Sequence, residues 1–172
     1  MDDSIHRQAL FLKLDQCSDV ASFFAISTSE ITKATNELAH NSFASDLFSV
    51  PLVGTLLDTD DGPIEETIVK LRILTNLGQI SDQDIQDITT IFFLSKKYRH
   101  AKHTTEFNDE VLFNTISEMN IVQSLNLMDF PLIDKDLSLN ENFYLESIEH
   151  QKREIQHDLA KAVLALLEHL NA

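Results

Sequence analysis

Residues 61–84 read DGPIEETIVKLRILTNLGQISDQD, and this stretch contains the clearest start and stop signals for a helix in the whole chain. Asp61-Gly62 favours a turn, and Pro63 is pre-organised for the first position of a helix. Apolar residues then recur at helical spacing as far as Gly78, which stands where a left-handed C-cap is commonly needed. The stretch therefore predicts a helix between Pro63 and Gly78, with a wide apolar face and a central place in the core.

Helical signals continue on both sides of this stretch. Ser81 and Asp84 stand at the two ends of a capping box, which predicts a following helix to about Tyr98. Its expected apolar residues are Ile85, Ile88, Ile91, Phe92 and Phe93. Nearer the N-terminus, a short first helix should be followed by a longer one, for which Ser18 or Asp19 is a suitable N-cap.

Two more helices are predicted in the C-terminal half of the sequence. Asn108 or Asp109 should cap a helix that runs towards Leu127. A second capping box, at 138–141, should open a long helix to about Leu170. The sequence has no strand-like alternation, no internal repeat and no long linker.

The composition agrees with one all-α domain over residues 1–172, a bundle-like fold of about six to eight helices. The chain is 43% hydrophobic, enough for a core, while three Gly and three Pro leave little material for hairpins. Cys17, the single cysteine, has no intramolecular disulfide partner. Without a signal-like N-terminus or a membrane span, the expected location is the cytoplasm. A broad apolar helix face serves a core as well as a dimer, so the oligomeric state stays open.

Net charge disfavours direct binding to nucleic acid. The 13 Lys and Arg against 28 Asp and Glu give −15, which repels phosphate unless a basic face is segregated from the rest. Residues 64–95 superficially resemble a helix-turn-helix, with Gly78 in the turn. The supposed recognition helix, however, begins with Asp82, Asp84 and Asp87, where its first residues should approach bases and phosphates. This helix pair is better interpreted as core packing.

Common enzyme motifs are missing from the sequence. Gly54, Gly62 and Gly78 are too far apart for a Walker A loop or a Rossmann fingerprint, and no Gly-x-Ser-x-Gly elbow occurs. Cys17 has no local catalytic signature and fits a small buried hydrophobe better than a nucleophile. We therefore expect no enzyme activity and no cofactor.

Metal binding has two candidate patterns. Glu-x-x-His, a spacing used by di-iron bundles, occurs in Glu37 with His40 and in Glu154 with His157. Both pairs fall off the apolar stripes of their predicted helices, so we expect them to face water and to hold no metal. His100 and His103 could chelate one metal from a helix end, and this alternative stays open.

Basic residues cluster once in the sequence. The cluster consists of Lys96, Lys97, Arg99 and Lys102, flanked by His100 and His103. Cations collect at a helix C-terminus because the macrodipole favours them there, but the same cluster could dock an acidic surface. A smaller pair, Lys70 and Arg72, points to two different helix faces, so at least one of them could form a structural ion pair.

Residues 50–110 resemble the mannitol operon repressor family of bacterial proteins. The resemblance is carried by Val50-Pro51-Leu52, Asp61-Gly62-Pro63-Ile64, Val69-Lys70-Leu71-Arg72-Ile73, Leu77-Gly78-Gln79-Ile80, Arg99-His100 and Phe107-Asn108-Asp109-Glu110. These elements occur in the family's order and at close to its spacing. Three positions depart from the family's pattern: Ile64 stands for Leu, Lys70 for Arg, and Arg99 for Asn.

The resemblance implies a cytoplasmic, all-helical protein that lowers transcription of the genes for mannitol uptake and oxidation. Family members lack a recognisable DNA-binding domain, which implies repression through a protein partner. A phosphotransferase-system protein is one candidate partner, because mannitol commonly enters bacteria by that system, and a DNA-binding regulator is another. Candidate contacts with a partner or ligand are Arg72, Lys96, Lys97, Arg99 and His100, and Gly62, Pro63 and Gly78 would define the turn and caps. The alternative is a paralogue that binds a small molecule or metal through His100 and His103.

Overall fold

The computed structural model describes residues 2–44, 63–100, 104–133 and 141–171. In these ranges the chain forms seven helices and no strand, as predicted for an all-α protein. The helices are α1 (Asp2–Asp15), α2 (Val20–Ala44), α3 (Pro63–Asn76), α4 (Asp82–Arg99), α5 (Glu110–Ser117), α6 (Asn120–Ser124) and α7 (Glu141–Leu170). None of them is long and apolar enough to cross a membrane.

The core lies where α2 and α4 pack against each other and α7 packs against α1 and α2. Its fully buried side chains include Phe23, Phe24, Ile31, Ile88, Ile91, Leu159 and Val163. Each such side chain adds roughly 1.5–3 kcal/mol of hydrophobic stabilisation when it leaves water. Spacings of three, four and seven residues among these positions account for the helices that carry them.

Helix α3 is less central than the sequence predicts. It contacts α2 and α4 and fully buries Leu71 and Leu74. Its other apolar residues, including Ile68, Val69 and Ile73, are only partly buried. Helix α7 instead carries the longest buried stripe among the described helices, from Ile155 to Leu170.

The turn between α3 and α4 depends on Gly78. Its φ of 72° is left-handed, a conformation that side chains with a β-carbon adopt only under strain. Gly78 N–H donates to Thr75 O and Gln79 N–H to Leu74 O, both at 2.9 Å, so the last carbonyls of α3 are satisfied. Helix α3 begins at Pro63, whereas Gly62 lies outside the described residues.

Polar side chains fix the other helix ends and loops. Asp19 caps α2 by accepting a hydrogen bond from Ser22 N–H at 2.7 Å, and this bond lowers the pKa of the carboxyl group. Gln156 of α7 donates to the carbonyls of Leu14 and Cys17 at 2.8 and 3.0 Å, which holds the α1–α2 turn against α7. The capping residue Ser138 lies outside the described residues.

Candidate partner-binding surfaces

The N-terminus of α4 is tied to the C-terminal end of α7. Ser81 Oγ accepts from Asp84 N–H at 3.0 Å, and Ser81 N–H donates to Asp84 Oδ2 at 3.3 Å, so the predicted capping box is present; Ser81 Oγ also donates to Asp84 Oδ2 at 2.6 Å. His169 Nδ1 lies 2.7 Å from the other carboxylate oxygen of Asp84. Burial raises the pKa of Asp84, but the hydrogen bonds from His169 and Ser81 outweigh it, so the net pKa is lowered.

Asp87, one turn further along α4, is buried at 2% exposure and caps α6. Its two oxygens accept from Asn120 N–H at 2.9 Å and Ile121 N–H at 2.7 Å, and Asn120 Nδ2 donates at 3.0 Å. The predicted single helix from residue 109 to about 127 is therefore wrong, since the chain breaks at 118–119 into α5 and α6. The break exposes N–H groups at the start of α6, and Asp87 satisfies them from another helix.

The C-terminal half of α4 presents Phe93, Lys96, Lys97 and His100 to solvent on one face, here called the α4 outer stripe. Phe93 was expected in the apolar face, but its side chain is 60% exposed, while Phe92 beside it is buried. Lys96 and Lys97 follow Phe93 by three and four residues, which places all three on the same side of the helix. Lys97 Nζ also lies 5.1 Å from the centre of the Tyr98 ring.

The predicted contact residues do not form one cluster. Arg99 follows Phe93 by six residues, so it points about 120° away from the α4 outer stripe. Arg72 is exposed on α3, and Lys96 of α4 pairs with Glu65 of α3 at 2.9 Å. Seven residues separate Glu65 from Arg72, so Arg72 lies about 10 Å further along α3 than this pair. At least one of Lys70 and Arg72 was predicted to form a structural ion pair, and Lys70 does so with Glu66.

The candidate metal ligands are separated in the described part of the chain. Glu37 and His40 are exposed on α2. Glu154 is exposed as predicted, and His157 is half-exposed, with its Nδ1 2.9 Å from Asp15 and its ring edge-on against Phe11. His100 is exposed at the end of α4, and both His103 and Lys102 lie outside the described residues. No group of three potential metal ligands occurs among the residues that the structure describes.

Two of the surface clefts among the described residues differ in charge. The first, of about 570 Å³, lies between α1, α2 and α7. Its rim carries both signs: His6 lies 3.9 Å from Glu30, Arg7 pairs with Glu168 at 2.8 Å, and Lys33 also lines it. Its described lining thus holds two cations, Arg7 and Lys33, and two carboxylates, Glu30 and Glu37, so the two signs are present in equal number.

The second cleft, of about 600 Å³, lies between α5 and the segment 131–133 and is here called the α5 cleft. It is lined by Asn108, Glu110, Phe113, Asn114, Pro131, Leu132 and Ile133. Asp109 beside it caps α5 by accepting from Leu112 N–H at 3.0 Å. Among the described residues its lining contains no cation, and nothing in the sequence indicated a cleft at this place.

Comparison with known proteins gives one family for this chain. The family model described as "Mannitol repressor" matches residues 6–171. The mannitol operon repressors of Escherichia coli strain K12 and of Escherichia coli O6:H1 strain CFT073 are each 26% identical over 113 residues, 66% of this chain. The match spans only 58% of the length of those relatives.

A solved structure shares the fold. In the X-ray structure of the MtlR–HPr complex from Escherichia coli, the matching chain aligns with a TM-score of 0.78. The alignment covers 96% of this chain and 98% of that chain at 20% identity. At this identity the likeness establishes the helical fold.

Proposed function

The chain belongs to the mannitol repressor family, and we propose that it lowers transcription of a mannitol operon by binding other proteins instead of DNA. One observation carries the proposal: the N-terminus of α4, the position a recognition helix would use, is occupied by contacts within the chain. Asp84 is bonded to Ser81 and lies against His169, while Asp87 is buried under α6. These contacts commit two of the three carboxylates at this end of α4 to the fold, and the third, Asp82, is exposed and negative.

Electrostatics supports the same proposal. Asp82, Asp84 and Asp87 put negative charge where a DNA-reading helix needs cations, and the chain as a whole carries −15. Helix α6 also packs against α4 and is tied to its first half by Asp87. Repression would then require a second protein that contacts the operator. The proposed role is binding alone, without catalysis.

The proposed signalling partner is a phosphotransferase-system protein of the HPr kind. Support comes from the Escherichia coli MtlR, which has this fold and was solved as a complex with HPr. A DNA-binding regulator is proposed as the partner that reaches the operator. The chain would thus connect sugar transport to a promoter through two protein contacts.

We propose the α4 outer stripe as one of these contacts, made with acidic side chains of the DNA-binding regulator. Lys97 and His100 flank the exposed Phe93 and form no ion pair among the described residues. An exposed aromatic ring is typical of a protein-binding anchor, and the cations beside it favour an acidic partner. Arg72 and Arg99, on other faces, are proposed as peripheral contacts.

Gel-shift measurements on the mannitol promoter test the proposal. The pure chain should give no sequence-specific shift at low salt, whereas a cell extract lacking the chain should give a shift that the chain alters when added. The HPr encoded in the same genome should bind the pure chain in calorimetry. Tight, specific binding of the pure chain to its promoter, with a steep salt dependence, would overturn the proposal.

A further inference from the structure

We infer that two copies of this chain associate through the outward-facing side of α1, as a symmetric antiparallel helix pair. This side is here called the α1 outer ribbon, and its exposed residues are Ile5, Gln8, Ala9, Leu12 and Gln16. The inference concerns a second copy of the chain and does not depend on the partners proposed above.

Helix α1 carries apolar residues on two opposite sides. Its inner side, which packs against α7 and α2, buries Leu10 and Leu14. On the opposite side, Ile5 is 64% exposed and Leu12 is 46% exposed. Apolar residues on two sides are typical of a helix that is covered on both. Since the described part of the fold covers only the inner side, the outer side is available for a further contact.

The lack of charge in the α1 outer ribbon favours a second copy as its occupant. Each chain carries −15, so two copies repel each other wherever their acidic surfaces meet. All five residues of the ribbon are uncharged. At its edges, Lys13 is a cation, and Asp15 already lies 2.9 Å from His157 of α7. Two copies can therefore meet here without burying a carboxylate, and each offers the other the same apolar surface.

The spacing of the ribbon is complementary to itself in an antiparallel arrangement. In a two-fold pair centred between Gln8 and Ala9, Ile5 of one copy lies opposite Leu12 of the other. Ala9 lies near the centre, where its small side chain lets the two helices approach closely. Gln8 also lies near the centre, and an amide can both donate to and accept from its symmetry mate.

The size of the contact predicts a weak dimer. Helix α1 has 14 residues and is about 21 Å long. One helix pair of this length covers less than the total of about 1,200–2,000 Å² that stable interfaces bury. The dimer should therefore form at high protein concentration. Added salt should strengthen it, because salt screens the repulsion between the two acidic chains.

Analytical ultracentrifugation of the full chain over a wide concentration range tests the inference. The wild type should rise from its monomer mass of 19.5 kDa towards twice that mass, and further at higher salt. Ile5→Glu or Leu12→Glu places a carboxylate in the α1 outer ribbon and should weaken the dimer at least about tenfold. The controls Val111→Glu and Leu77→Glu add the same charge at residues that are 58% and 53% exposed elsewhere, and should stay within about twofold of wild type.

A double variant tests the antiparallel arrangement. Ile5→Glu combined with Leu12→Lys in one chain puts opposite charges face to face in the proposed pair but not in a parallel one. It should restore association, which should now weaken as salt is added, and failure to restore it would overturn the antiparallel pairing. Circular dichroism checks that each variant is folded. A wild-type mass that stays at 19.5 kDa at every concentration and salt would overturn the dimer, and equal weakening by the controls would overturn its assignment to α1.

Discussion

The two halves of α4 use their charges in opposite ways. In the first half, Asp84 and Asp87 are held by hydrogen bonds from α7 and α6. In the second half, Lys96, Lys97 and His100 face solvent around Phe93. One helix therefore carries two structural carboxylates at one end and exposed cations at the other, and the cations can meet a partner without disturbing the fold.

The difference comes from what packs on each half. Helix α6 packs over Asp87 and the end of α7 lies against Asp84, so the buried carboxylate of Asp87 must be satisfied within the fold. On the second half of α4, Lys96 of the α4 outer stripe reaches another helix through a surface ion pair with Glu65 of α3. Exposed ion pairs of this kind add little to stability and leave the surface free to bind.

Among the charges of the first half of α4, Asp87 should have the largest effect on the free energy of unfolding. Asp87→Ala leaves the N–H groups of Asn120 and Ile121 without their acceptor in a buried position. We expect a loss of about 3 kcal/mol in the free energy of unfolding, measured by urea denaturation. Asp82→Ala, at an exposed position of the same helix, should cost less than about 1 kcal/mol. Equal losses for the two variants would show that Asp87 is not a structural charge.

Asp84 should have a smaller effect that depends on pH. Hydrogen bonds from His169 and Ser81 outweigh burial and hold the pKa of this carboxyl below its ordinary value of 3.8. A lowered folded pKa means that the stabilisation is present above the ordinary value and is lost as pH falls through the folded value. Asp84→Asn should therefore cost about 1 kcal/mol at neutral pH, and the gap to wild type should narrow below about pH 4. Urea denaturation at several pH values measures this gap, and a gap that widens in acid would contradict it.

Local signals in the sequence were sufficient to predict the cap of α4 at Ser81 and Asp84, but not the role of Asp87. Ser81 and Asp84 are three residues apart, so their capping box is legible without any tertiary contact. Asp87 and Asn120 are 33 residues apart, and a side chain that caps a remote helix leaves no trace in either local pattern. For that reason the break between α5 and α6 was not predictable, although the cap of α5 at Asp109 was.

Phe93 is a different kind of error, because the sequence did contain the signal. Ile88, Ile91 and Phe92 share the buried face of α4, and one further step of about 100° carries Phe93 away from it. The lysines three and four residues later mark the face on which it lies. Conversely, the adjacency of Arg99 to this cluster in sequence was misleading, since neighbours along a helix do not share a face.

The smallest effect on stability, and the sharpest on function, is expected at Phe93 and Lys97. Phe93→Ser removes a ring that is 60% exposed, and Lys97→Glu removes a surface cation whose Nζ lies 5.1 Å from the Tyr98 ring, so each should change the free energy of unfolding by less than about 1 kcal/mol. If the α4 outer stripe is a partner contact, either variant should still weaken repression of a mannitol-promoter reporter about fivefold. Phe143→Ser is the matched control for the ring, since Phe143 is 63% exposed against 60% for Phe93, and Lys33→Glu is the control for the charge. All four variants should be about equally stable. A reporter that responds equally to the stripe variants and to their controls would remove the α4 outer stripe from the mechanism. Loss of repression in the stripe variants alone would assign repression to the second half of α4.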